Sequence, residues 1–181
     1  MELKAFVTNL GKYNEGELVG KWVTFPIDEE EERELMKDIG CAYEDEDGEC
    51  HNEYYEEYFI TDYDCDFNAK SLGEYISIEE LNDIAERIEK FDEDLFEVIQ
   101  DEQYSDVMDA VDIYEGERYI WWPKCTLLEL ADELAHEEMY SMGFDDDQIQ
   151  WVERYFNSEY YIDYLVDCGY IEHRNGVLYI F

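Results

Sequence analysis

Carboxylates are the side chains whose type and spacing invite a chemical role here, and calcium binding is the first role to test. A calcium loop needs oxygen ligands at positions 1, 3 and 5, a glycine at 6 and a bidentate glutamate at 12. Placing Gly48 at position 6 puts Asp45 and Asp47 correctly, but Tyr43 then stands first and Tyr54 twelfth. Asp62, Asp64 and Asp66 have the right spacing, yet Phe67 sits where glycine is needed and Gly73 where glutamate is needed. Glycoside hydrolysis needs one carboxylic acid and one carboxylate set apart by environment; a dense negative field raises all carboxylate pKa values together and selects neither. The chain has no GxSxG, Walker or dinucleotide glycine pattern. His51, His136 and His173 are isolated in sequence, and Cys41, Cys50, Cys65, Cys125 and Cys168 are an odd number without a CxxC pair. Zinc ligands come in tight pairs, so the thiols read as reduced and partly buried small hydrophobes. No catalytic residue, metal or cofactor is expected, and the chain does not read as an enzyme.

The remaining use of so many acids is a field. There are 51 Asp and Glu against 12 Lys and Arg, a net charge of -39, in a chain that is nonetheless 46% hydrophobic and 17% aromatic. Disordered acidic segments lack the apolar side chains that offset chain entropy, so these carboxylates coat a folded body. Residues 1–27 are neutral overall, whereas 28–60 carry 15 acids and two bases, 61–104 carry 15 and three, and 105–181 carry 18 and four. The charge is a distributed surface and not a tail. Such a coat repels anionic lipid and nucleic acid, so neither DNA, RNA nor a membrane is an expected partner. No apolar run has membrane-spanning length and the opening residues lack a signal-peptide pattern, so a cytoplasmic location is expected.

The elements that carry these acids follow from periodicity. Leu3, Ala5 and Val7 alternate with Lys4, Phe6 and Thr8 before a turn-rich stretch, residues 11–16, and a second β-rich run, 18–25. Asp28 caps a helix whose first turn holds Glu29, Glu30, Glu31 and Glu32, a position the helix dipole favours; Gly40 ends it. Residues 41–53 read as an acidic loop and 54–61 as a third strand. Ile78, Leu81, Ile84, Ala85 and Ile88 form a helical stripe behind a Ser77/Glu80 capping box, which leaves Glu79, Glu80, Asp83, Glu86 and Glu89 on the other face. Further helices are expected over 94–102, next to Asp92, Glu93 and Asp94, and from Ser105, with Asp109 and Asp112 outward. A strand at 119–122 and a Thr126/Glu129 capping box precede a helix with Leu127, Leu130, Ala131, Leu134 and Ala135 on one side and Glu129, Asp132, Glu133 and Glu137 on the other. An aromatic helix pair to Cys168 and a hairpin turning at Asn175-Gly176 complete an α+β chain.

Residues 5–26, AFVTNLGKYNEGELVGKWVTFP, closely resemble the amino-terminal signature of the ArdA antirestriction proteins. NLGKYNEGELVG is its most specific part and contains Asn9, Leu10, Gly11, Tyr13, Asn14, Gly16 and Gly20. Residues 53–67, EYYEEYFITDYDCDF, are similar to the family's acidic strand segment and 77–91 to its SIxELN helix; the last third is similar more loosely. The chain departs from the family in the cysteine-containing acidic stretch around 41–52 and across 105–150.

The resemblance implies an elongated α+β chain of three small domains: 1–61, a small antiparallel sheet with a helix; 62–104, an acidic helical bundle; and 105–181, an α+β domain that forms a homodimer. It implies a protein of mobile genetic elements that imitates B-form DNA, occupies the DNA groove of a type I restriction-modification enzyme, on its specificity and methylation subunits, and blocks cleavage and methylation. The acids named above, with Asp62, Asp64 and Asp66, would stand in for phosphates, and the signature residues would be structural. At one negative charge per about 1.7 Å of duplex, 39 net charges match roughly 66 Å, or about 20 base pairs, per chain. The composition alone also fits an acidic adaptor or chaperone for another basic DNA-binding protein, or an acid-coated enzyme.

Overall fold

The computed structural model describes residues 1–53, 57–102 and 106–181, which divide into two compact units, Met1–Asp112 and Ile113–Phe181. The first unit runs β1 (Leu3–Asn9), α1 (Leu10–Asn14), β2 (Gly20–Phe25), α2 (Glu29–Asp38), β3 (Ala42–Glu44), β4 (Cys50–Asn52), β5 (Tyr58–Tyr63), α3 (Ile78–Ile88), α4 (Glu93–Glu102) and α5 (Val107–Glu115), within which the division falls. The second holds β6 (Tyr119–Pro123), α6 (Leu127–Ser141), α7 (Asp146–Glu153), α8 (Ser158–Asp167), β7 (Tyr170–His173) and β8 (Gly176–Ile180). The chain is α+β, as its periodicity predicts.

In the first unit β1 is the central strand of an antiparallel sheet of order β2-β1-β5. Its alternation buries Leu3, Ala5 and Val7 and leaves Phe6 half-buried on the opposite face, edge-on to Trp22 at 5.3 Å. The register shifts between Phe6 and Val7 of β1, which leaves Thr61 of β5 as the extra residue of a bulge. Residues 10–14 form a short helix where the sequence suggests only a turn. Asn9 explains it, because its side chain accepts from the Lys12 amide and starts the helix. The stretch expected to be an acidic loop is a hairpin, β3 with β4: Asp45 accepts the amides of Asp47 and Glu49, and Gly48 takes a φ of 80°. Local side-chain hydrogen bonds, invisible to periodicity, make that correction. The expected third strand at 54–61 is found as β5, with residues 54–56 outside the described residues; Ser105, the expected start of α5, lies outside them too.

The helices after the sheet are stitched to it by reciprocal side-chain bonds. Asn82 of α3 accepts the Ile27 amide at 2.8 Å and donates to the Ile27 carbonyl at 3.0 Å. Buried Gln100 of α4 does the same with Asn68, and the Val107 amide donates to Ser71 Oγ. Each bond satisfies backbone groups that would be costly to bury alone. Ile78, Leu81, Ile84, Ala85 and Ile88 of α3 and Leu95, Phe96, Val98 and Ile99 of α4 are all buried.

In the second unit β8 lies between β6 and β7, antiparallel to both. Leu127, Leu130 and Ala131 of α6 pack with Leu165 and Val177; farther along α6, Ala135 and Met139 pack with Ile149. The Leu127 amide donates to Glu172 on β7, and Ser158 at the start of α8 donates to Asp132 on α6.

Candidate functional site

Every helix of eight or more residues opens on acids. Glu29 to Glu32 fill the first turn of α2, Glu79 and Glu80 that of α3, Glu93 and Asp94 that of α4, Asp109 that of α5, Glu129 that of α6, Asp146 and Asp147 that of α7, and Glu159 that of α8. The unpaired amides there carry partial positive charge, which offsets part of the repulsion between neighbouring carboxylates. Four of these helices also have a complete capping box: Asp28/Glu31, Ser77/Glu80, Thr126/Glu129 and Asp145/Gln148. Hydrogen bonds from the Ser77 amide and hydroxyl hold the Glu80 carboxyl below its ordinary pKa, and Thr126 does the same for Glu129.

Of the 21 acids that the sequence singles out, Glu32 is half-buried and the others are exposed. On α3 the buried stripe forces Glu79, Asp83 and Glu86 outward on successive turns, about 6 Å and 4.5 Å apart along the axis. The structure brings α3 and α5 acids together around one cation: Arg87 reaches Asp83 at 3.6 Å and Asp112 at 3.2 Å. Other bases are likewise taken up by neighbouring acids, as in Lys21 with Asp38, Arg33 with Glu30, Lys37 with Glu44 and Lys4 with Glu2 and Asp64. These exposed pairs contribute little stability; they mask positive charge within a negative surface.

Some predicted site acids also have local work. Asp92 accepts the Leu95 amide, Asp66 the Glu2 amide and Asp62 the Tyr63 amide, while Asp132 binds Ser158. Sequence reasoning missed Glu74 and Asp106, which line one cleft with Glu79, Glu80 and Asp83. Asp106 had a usable signal, since it caps α5 through the Met108 and Asp109 amides; Glu74 had none.

The signature residues build one corner of the first unit. Fully buried Asn9 caps α1 and donates to the carbonyls of Ile39 and Gly40 at the end of α2. The Leu10 amide donates to the Glu57 carbonyl, Gly11 accepts the Glu15 amide, and Tyr13 packs edge-on to Phe59 at 5.0 Å. Asn14 ends the helix, Gly16 turns the chain at a φ of 90°, and Gly20 lies so close to β1 that a Cβ would stand 2.7 Å from the Val7 carbonyl oxygen.

For metal chemistry, donor atoms of Asp45, Glu49 and His51 lie within 4.8 Å of one another, with His51 Nε2 2.8 Å from Asp45 Oδ2. Two backbone amides and His51 already engage that Asp45 carboxylate and hold its pKa down. Cys41 is buried and its thiol is pushed up to about 11, which suits packing and not ligation. No helix of the described residues is long and apolar enough to cross a membrane.

No curated protein sequence matches this chain. The family model of the antirestriction protein ArdA matches residues 5–178, nearly the whole of its 181 residues. That match takes in the Asn9 corner, the α3 helix with its Asn82 clamp and the second unit as far as the middle of β8, so the chain belongs to the ArdA antirestriction protein family.

Proposed function

We propose that this protein blocks type I restriction-modification enzymes by imitating B-form DNA, filling the enzyme's DNA groove so that duplex is neither cut nor methylated. The observation that carries the reading is the exposure of carboxylates along helix after helix, with apolar stripes turned inward and several bases, among them Lys21, Arg33, Lys37 and Arg87, taken up by neighbouring acids. Such a surface meets the Lys and Arg of a DNA groove by charge-assisted hydrogen bonds and releases counterions on binding, as duplex does. It needs no base readout, because phosphate contacts position without specifying sequence. Binding of the specificity and methylation subunits, homodimerisation through the last third of the chain, the division into 1–61, 62–104 and 105–181, and a cytoplasmic site of action belong to the same proposal. Dimerisation is supported by the aromatic surface of the second unit, where Trp151, Tyr155 and Tyr160 are exposed beside a groove of about 460 Å³.

The test is to titrate the protein against a purified type I enzyme on unmodified DNA at low and high salt. Stoichiometric inhibition that competes with duplex and weakens with salt is expected. Replacing Glu29 to Glu32 together by Gln should weaken inhibition, whereas single acid replacements should change it little. Loss of inhibition from one carboxylate replacement in a folded protein would show that the energy is not distributed.

A further inference from the structure

A cleft of about 730 Å³ opens in the first unit between residues 71–76, the outer face of α3 and the start of α5. Its walls are apolar: Leu72, Tyr75, Ile76, Ile84 and Met108. Its rim is anionic, formed by Glu74, Glu79, Glu80, Asp83 and Asp106, and no Lys or Arg is among the described lining residues. Arg87 reaches Asp83 at 3.6 Å, and Glu80 and Asp106 also hold capping bonds, so Glu74 and Glu79 are the acids of the rim with the most to offer a guest cation. The walls are held by defined bonds. The Val107 amide donates to Ser71, the Ile60 amide donates to the Glu74 carbonyl, and Tyr75, 75% exposed, stacks its ring on Phe59 at 6.2 Å. Tyr75 also borders a second, aromatic groove with Phe6, Tyr13 and Trp22. A phosphodiester surface has no counterpart to this combination.

We infer that the cleft docks a short cationic segment of a protein partner, an arginine next to an apolar residue. Charge complementarity selects the occupant: the ring of carboxylates calls for a cation, and apolar walls give a fully hydrated inorganic ion nothing to bury. Arginine lays its aliphatic stem on such walls, its guanidinium forks onto carboxylates, and it stacks on a tyrosine face. The volume lies within the range of drug-sized ligand sites, with room beyond one side chain for an apolar neighbour. The identity of the partner as the restriction enzyme rests on the function proposed above; the chemistry of the cleft does not.

The test uses the full chain, labelled with ¹⁵N and titrated with Ac-Arg-Leu-Arg-NH₂ and with Ac-Arg-Gly-Arg-NH₂. Shifts clustered at Tyr75, Glu79, Asp83 and Met108 are expected, with the leucine peptide binding about tenfold tighter because its side chain is buried. Tyr75→Ala and Met108→Ser, both at exposed positions, should each remove that preference while the melting temperature is kept. Equal binding of both peptides with shifts spread over all the acidic helices would overturn the inference, as would spermidine competing as well as the leucine peptide. In the enzyme assay Tyr75→Ala should raise the inhibitory concentration about fivefold, the scale of one lost aromatic anchor, and Glu79→Gln less than about twofold. If the wild-type protein inhibits no type I enzyme yet the peptide maps to the cleft, the proposed function fails and the docking site stands. If inhibition survives Tyr75→Ala and the peptides do not cluster, the docking site fails and the proposed function stands.

Discussion

Asn9 is the residue on which the first unit turns. Its amide group caps α1 on one side and donates to the Ile39 and Gly40 carbonyls on the other, in a fully buried position. Asn9→Ala therefore removes a cap and leaves buried carbonyls without that donor, and should cost about 2 to 4 kcal/mol in a urea melt. Gly20 makes a steric demand. An added Cβ would meet the Val7 carbonyl oxygen at 2.7 Å and Thr8 Oγ1 at 2.9 Å, so β2 would have to move off β1. Gly20→Ala should destabilise by about 1 to 3 kcal/mol, read in the same urea melt. Both residues are legible in the sequence as part of the NLGKYNEGELVG motif, but what they touch is not, because Ile39 lies 30 residues from Asn9.

At the scale of the element, capping boxes decide where the acidic helices begin. Thr126→Ala should cost about 1 kcal/mol through the lost cap on α6, read by urea denaturation. The Glu80 and Glu129 carboxyls have pKa values below those of the unfolded chain. The unfolded state therefore binds more protons in that interval, so their stabilisation is complete above the ordinary carboxylate range and is lost as pH falls through the depressed folded values. A Glu80→Gln/Glu129→Gln variant keeps the capping geometry but lacks these titrations, so its acid unfolding limb, followed by circular dichroism below about pH 4.3, should be flatter than that of the wild type. The capping boxes of α3 and α6 are read directly from sequence spacing, and those of α2 and α7 have the same three-residue spacing, whereas the β3 and β4 hairpin is not visible there. It depends on Asp45 folding back onto the Asp47 and Glu49 amides, which no period reports.

For the whole molecule the governing quantity is the net charge of -39. Mutual repulsion of the coat opposes the compact state, and its range falls from about 30 Å at 0.01 M salt to about 8 Å at 0.15 M. The melting temperature should therefore rise as NaCl is added over that interval, while the affinity for a basic partner falls. A melting temperature that is flat or falling with salt would mean that the exposed ion pairs outweigh the repulsion. The same field explains why the acids open helices so consistently, since amide dipoles compensate charge at that position more effectively than elsewhere on a helix.

The sequence by itself determined the α+β class, most helix and strand positions, the capping boxes, the outward direction of the acids and, through its signature motif, the family. These are local properties: they depend on spacing of two, three or four residues, on turn chemistry and on composition. Tertiary structure alone decided that Asn82 and Gln100 clamp backbone at Ile27 and Asn68, that Arg87 joins acids of α3 and α5, and that Glu74 and Asp106 meet Glu79 and Asp83 around an apolar cleft. Those partners lie tens of residues apart or in separate elements, and an isolated acid in a chain this acidic carries no mark of which neighbour it will face. Charge pattern tells where carboxylates go relative to their own helix; only packing sets which carboxylates share one site.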